Sequence, residues 1–169
     1  MSMGEQESSF IAVYDAHADA LFRFALFSVS DRELAKDLVA DTFTKVWGYL
    51  AEGNVVENLR AFCYRTLKNL IVDHWRKKGS VSLDELSEAG YDPVGEDGRE
   101  SVEQSEEYKA ARDAIAALPA AFREVIHLRY VEEYGPKEIA EMLGISQSLV
   151  SVRLFRGSAL LKKKLKTSL

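Results

Sequence analysis

The residues from Lys137 to Lys166, KEIAEMLGISQSLVSVRLFRGSALLKKKLK, constrain the fold more tightly than any other part of the chain. Ile139, Ala140 and Leu143 share one helical face, Gly144 stands where a helix should stop, and Ser146 stands where the next helix should be capped. Val150 and Leu154 continue the apolar stripe. A short helix, a glycine turn and a second helix make the helix-turn-helix layout, whose second helix lies in the major groove of DNA. Between Arg153 and Lys166 there are six basic residues (Arg153, Arg156, Lys162, Lys163, Lys164, Lys166) and no acidic one, which suits a helix lying beside phosphates. Cations also favour the C-terminus of any helix, so charge alone leaves a solvated helix end open as a reading.

The chain has 169 residues, enough for one medium or two small domains. A hydrophobic fraction of 47% with 29% charged residues is that of a soluble globular protein. No apolar run approaches the length needed to span a bilayer, and MSMGEQESS has neither the basic start nor the apolar core of a signal peptide. No membrane insertion and a cytoplasmic location are therefore expected. Cys63 is the single cysteine, which excludes an intrachain disulfide. His17, His74 and His127 lack metal-ligand spacing, and no HExxH, CxxC, glycine-rich phosphate loop or nucleophile elbow occurs. The expectation is a protein that is not an enzyme and carries no cofactor or metal.

A net charge of −5 is the wrong sign for a nucleic-acid binder, but it is unevenly spread. Residues 79–107 hold ten acids against Arg99, a net of −9, which leaves +4 for the rest of the chain. Four glycines and Pro93 fall in the same region, so it reads as an acidic flexible linker.

Before the linker, three helices are expected. Phe10, Val13, Tyr14, Leu21, Phe22, Ala25 and Leu26 give a core helix from about Ser9 to Val29. Ser30 and Glu33 match a capping box opening a second helix, Asp31 to Leu50, with Leu34, Leu38, Phe43, Val46 and Leu50 on its apolar face. Residues 51–58 form a loop containing Gly53 and Asn54. A third helix, about Glu57 to Lys78, carries Leu59, Phe62, Cys63, Leu67, Leu70 and Ile71 on one stripe, and Arg60, Tyr64, Arg65, Lys68, Asn69 and Arg76 toward the other. Single-stranded bases can stack on such rings and phosphates can pair with such cations. The same residues also suit half-buried aromatics with solubilising charges. After the linker, YKAARDAIAAL reads as helix, Leu118-Pro119 as a break, and PAAFREVIHLRYVE as a helix burying Phe122, Val125, Ile126, Leu128 and Tyr130.

Three segments in this order resemble the extracytoplasmic-function (ECF) type of bacterial sigma factor. DRELAKDLVADTFTKVW is similar to the family's second conserved region, NLRAFCYRTLKNLIVDHWRKK to the promoter-reading part that follows, and LPAAFREVIHLRYVEEYGPKEIAEMLGISQSLVSVRLFR to the fourth region. The likeness covers about residues 10–78 and 105–166. It implies an all-α fold of two small helical domains, residues 1–78 (region 2) and 105–169 (region 4), joined by the linker 79–104.

It also implies roles. Asp37, Asp41, Lys45 and Trp47 would dock on the clamp helices of the RNA polymerase β′ subunit, and the region 4 domain on the β flap. Asn54, Tyr64 and Asn69 would receive a flipped base of the minus-ten element, with Arg60, Arg65, Lys68, Arg76, Lys77 and Lys78 holding phosphates around it. Gln147, Ser148, Ser151, Val152 and Phe155 would face the minus-thirty-five element of promoter DNA, and Arg153 and Arg156 would bind phosphates or guanines. An anti-sigma factor is a further expected partner.

Departures from the family pattern are Ser151 and Ser158 at positions that are usually basic, and Ala40 in place of a glutamine. Gly157 inside the recognition helix costs roughly 1 kcal/mol relative to alanine. A dimeric helix-turn-helix regulator that binds DNA without polymerase is the competing reading, and it leaves the first seventy-eight residues without a role.

Overall fold

The computed structural model describes residues 2–78 and 105–168. The expected acidic linker lies outside the described residues. Among them the chain forms seven α-helices and one π-helical segment, with no strand. These are α1 (Met3–Val29), α2 (Arg32–Ala51), α3 (Leu59–Lys77), α4 (Glu106–Ala116), α5 (Ala120–Ile126), the π segment His127–Val131, α6 (Pro136–Leu143) and α7 (Gln147–Ser168).

The first helix starts earlier than the apolar pattern indicates. Ser2 accepts from the Glu5 amide while the Glu5 carboxylate accepts from the Ser2 amide at 2.8 Å, a capping box at the N-terminus. The second box, expected at Ser30 and Glu33, does not form. Ser30 adopts a left-handed conformation (φ 54°) to close α1, and Asp31 takes over the capping of α2 by accepting from Leu34 N at 3.1 Å. A one-residue corner leaves Ser30 committed to the helix that ends there.

Helices α1, α2 and α3 pack as one group through Leu21, Phe24, Ala25, Leu38, Phe43, Val46, Cys63, Leu67 and Ile71. Helices α4 to α7 form a second group around Leu118, Val125, Ile126, Ile139, Met142, Leu143 and Val150. The two cores are continuous: α3 lies against α6 of the second group as well as against α1 and α2.

The π segment explains one departure from expectation. A helix buried through Tyr130 was the expectation, yet Tyr130 is 61% exposed. The wider turn moves it off the stripe set by Ile126, while His127 stays buried with its ring 5.0 Å from that of Phe27 and 6.1 Å from that of Phe24.

The turn of the helix-turn-helix follows the sequence closely. Gly144 closes α6 at φ 67°, and the Ser146 hydroxyl accepts from Leu149 N at 3.1 Å to open α7. Gly157 does not break α7. It is buried where α7 crosses α5, and a Cβ there would stand 3.2 Å from Phe122 Cβ and from Ile126 Cγ1. The propensity cost of this glycine is set against a close helix crossing. Gly157→Val should therefore destabilise the chain by about 1–3 kcal/mol through overpacking, read as a lower urea midpoint; an unchanged midpoint would show that α5 can yield.

Candidate nucleic-acid interface

Helix α3 is phased by its cap. Asn58 Oδ1 accepts from Ala61 N at 3.0 Å, and from there Ala61, Cys63, Leu67 and Ile71 turn inward. Arg65, Asn69, Arg76, Lys77 and Lys78 are exposed, and Arg60 and Lys68 lie half-buried on the flank. The cations proposed from sequence are thus brought onto one helix, in two rows.

Tyr64 is not among them. Expected outward, it is fully buried, with Phe24 meeting its ring edge-on at 5.7 Å and Tyr134 at 6.2 Å. Positions 61, 64, 67, 71 and 75 form a continuous buried stripe, so its spacing is that of core, and Trp75 shares the stripe. Burial pushes the phenol's pKa upward, so the ring stays neutral. In this arrangement Tyr64 offers no face for a base to stack on.

The loop between α2 and α3 is braced from two sides. Gly53 takes φ 90°, Asn54 Nδ2 donates to Tyr49 O at 2.9 Å, and the Asn54 carbonyl accepts from Gln6 Nε2 at 3.3 Å. Gln6 is a buried amide near the N-terminus of α1, and it ties that end of the helix to the loop.

The flank of α3 faces the second group. Arg60 Nη2 donates to Glu138 Oε1 at 3.1 Å and its guanidinium lies over the Tyr134 ring at 4.8 Å. Arg65 Nη2 donates to the Glu141 carbonyl at 2.9 Å, and its aliphatic stem lies against Gly144. Lys68 Nζ donates to Glu124 Oε1 at 2.9 Å, and Asn58 Nδ2 to Glu141 Oε2 at 2.7 Å. On α1, Arg23 makes a two-pronged contact with Glu132 at 2.8 and 3.0 Å, while His127 Nε2 lies 3.5 Å from the same carboxylate. Burial alone would raise the Glu132 pKa; the His127 imidazole and the Arg23 guanidinium outweigh it and hold the group at about 2.

On α7, Gln147, Ser148, Ser151, Val152, Phe155 and Arg156 are all exposed, Phe155 at 79%. Arg153 turns inward instead, its Nη1 3.9 Å from Glu124 Oε1. On α2, Asp37, Asp41 and Lys45 are exposed and follow one another at four-residue steps, which puts them on one face. Trp47 is half-buried on another side, its ring 5.2 Å from that of Phe10. The residues missed by sequence reasoning are Gln6, Asn58, Glu124, Glu138 and Glu141. Only Asn58 carried a local signal, as an asparagine directly before a helical stripe.

Two family models match the chain, Sigma-70 region 2 over residues 13–81 and Sigma-70 region 4 over residues 108–161. The chain belongs to the sigma-70 family. It is similar to the ECF RNA polymerase sigma factor SigW of Bacillus subtilis, 26% identical over 96% of this chain and 91% of the relative. It is also similar to SigL of Mycobacterium tuberculosis, 28% identical over 85% of this chain and 81% of the relative. Among solved structures it shares its fold with the sigma factor RpoE crystallised with the anti-sigma factor NepR from Bartonella quintana (TM-score 0.72, 24% identity, 96% and 97% of the two chains). CnrH in complex with the cytosolic domain of CnrY is another such match (TM-score 0.67, 23% identity, 95% and 90%). In sigma-70 terms, α2, α3 and most of α1 lie in region 2, and the helix-turn-helix of α6 and α7 lies in region 4. No helix among the described residues is long and apolar enough to cross a membrane.

The Glu132 contact joins the two regions, and its pH dependence follows from the sign of the shift. A carboxylate depressed from 4.5 to about 2 contributes stability above about pH 4.5 and loses it as the pH falls toward about 2. Urea midpoints measured at pH 5 and pH 3 should therefore fall more steeply with acid in the wild type than in Glu132→Gln. Parallel profiles would remove Glu132 from the account of acid sensitivity.

Proposed function

We propose that this chain is an ECF sigma subunit that binds bacterial RNA polymerase core, directs it to promoters and assists their melting, acting in the cytoplasm with its polymerase. The observation that carries the reading is the ordered pair of sigma-70 regions, the second ending in a capped recognition helix whose outer face is exposed.

Within that reading, Asp37, Asp41 and Lys45 on the exposed face of α2 contact the clamp helices of β′, and Trp47 supports that helix from behind through Phe10. The region 4 group docks on the β flap. Asn54 on its braced loop and Asn69 on α3 receive a flipped base of the minus-ten element, while Arg60, Arg65, Lys68, Arg76, Lys77 and Lys78 hold phosphates. Gln147, Ser148, Ser151, Val152 and Phe155 read the minus-thirty-five element, with apolar contact between Val152, Phe155 and thymine methyl groups; Arg153 and Arg156 supply charge. Residues 79–104 tether the regions. An anti-sigma factor is a further partner, as it is for RpoE of Bartonella quintana.

The deciding experiment adds the purified chain to sigma-free core polymerase with fragments of the source genome. Discrete transcripts that need both components are expected. Tight DNA binding by the chain alone, with no engagement of core, would instead establish a dimeric regulator. With a promoter in hand, Arg65→Glu with Lys68→Glu should reduce open-complex formation and lower the log–log salt slope by about 1 per lost phosphate contact, leaving core binding intact. Equal losses in both assays would refute this use of α3. Asp37→Arg should weaken core binding about thirtyfold, the low end of about 2 kcal/mol for a charge pair broken across an interface, without changing the thermal midpoint. Unchanged core affinity would remove α2 from the polymerase interface.

A further inference from the structure

A cavity of about 240 Å³ lies where α1 and α3 meet α5, the π segment and α7. Its walls are largely apolar, built from Phe24, Phe27, Ile71, Val72, Trp75 and Ile145. Set among them are three cations, Lys68, Arg123 and Arg153, against one carboxylate, that of Glu124. That carboxylate is shared: Lys68 Nζ lies 2.9 Å and Arg153 Nη1 3.9 Å from the same oxygen, so one negative charge faces two positive ones. Both cations are largely covered, where water screens the surplus charge poorly. His127 completes the wall. It is 2% exposed, its Nε2 lies 3.5 Å from Glu132, and its Nδ1 is buried with no hydrogen-bond partner among the described residues. With Nε2–H turned to the Glu132 carboxylate, Nδ1 of the neutral ring is an acceptor that a donor entering the cavity can use.

We propose that this cavity is a binding site for a compact aromatic acid bearing a hydroxyl group. Size sets the first limit. An apolar cavity of about 150 Å³ takes up benzene, so the space here suits one or two fused rings and no longer molecule. The rings of Phe24, Phe27 and Trp75 offer a planar ligand edge and face contacts. The carboxylate meets the positive charge that Glu124 leaves uncompensated on Lys68 and Arg153, with Arg123 adding charge in the same wall, and the hydroxyl donates to His127 Nδ1. Few polar groups converging in an apolar pocket is the usual build of a small-molecule site. Phe27, Ser28, Val72 and Ala120 are only half-buried and form the rim by which the ligand enters. Because Lys68 and Arg153 are assigned to phosphates under Proposed function, a bound acid competes with promoter DNA; that consequence rests on the assignment, whereas the site itself does not.

The test is titration of the full chain with 3-hydroxy-2-naphthoate, by calorimetry and by tryptophan fluorescence. The chain has two tryptophans, and Trp47→Phe leaves Trp75 of the cavity wall as the reporter. Saturable one-to-one binding that quenches Trp75 is expected, with a dissociation constant below about 1 mM, the value that ordinary ligand efficiency gives a molecule of this size. 2-Naphthol keeps the rings and the hydroxyl but lacks the carboxylate, and should bind at least about tenfold more weakly. Lys68→Gln should weaken the acid by about the same factor with little effect on 2-naphthol. Val72→Phe on α3 and Ala120→Phe on α5 reach into the space from opposite walls, and each should abolish binding while circular dichroism shows the helices retained. Absence of saturable binding overturns the site. Equal affinity for 2-naphthol, or a Lys68→Gln loss shared equally by both compounds, overturns the recognition of an acid. Binding that survives both filling variants puts the probe elsewhere and overturns the assignment to this cavity. None of these results touches the sigma reading, which the transcription assay decides.

Discussion

The structure depends on how α3 is shared. Its inward stripe, Ala61, Cys63, Tyr64, Leu67, Ile71 and Trp75, is buried, with Cys63, Tyr64 and Leu67 fully covered. Replacing a leucine so placed with alanine costs about 2–5 kcal/mol in a typical core. That burial fixes the rotation of the helix, and the rotation decides which side chains remain for anything else. Arg60, Arg65 and Lys68 are left where the second group can reach them, and Asn69 and Arg76 where solvent can. The placement of charge is a by-product of where the apolar residues go.

Much of the fold was legible because long amphipathic helices announce themselves. The helix-turn-helix was readable almost residue by residue, since Gly144 and Ser146 act locally: one supplies a left-handed backbone, the other caps its own helix. The errors occur where a residue answers to something outside its own segment. Ser30 closes α1 and so cannot cap α2. Tyr130 is turned out by a π-helical register that no periodicity of 3.6 reveals. Gly157 looked like a fault in a helix until the side chains of α5 were placed beside it.

The same divide runs through the site. Exposed residues on α7 and α2 were identifiable because amphipathicity alone predicts which face is outward. Tyr64 was misplaced because an aromatic among cations resembles a stacking platform, whereas its spacing within the stripe is that of core. Glu124, Glu138 and Glu141 were invisible in principle. An isolated glutamate on a helix reads as a solvated charge, and only the packing of one helical group on the other shows that it faces a base. The Ser2 to Glu5 capping box, by contrast, was present in the sequence as a plain S-x-x-E and would have moved the start of α1.

Gly157 sets the mechanical character of the recognition helix. The crossing with α5 grips α7 there, with no room for a methyl group without a shift, and every residue of α7 proposed to read DNA lies on the N-terminal side of the grip. From Gly157 to Ser148 the helix runs about 14 Å, nine residues at 1.5 Å each. A tilt of about five degrees at that crossing would swing the reading end by roughly 1 Å, a sizeable fraction of a hydrogen-bond length. Helix α7 is therefore a lever with its fulcrum at α5, and α5 also carries Glu124. Any contact that shifts α5 is magnified at the N-terminal end of α7.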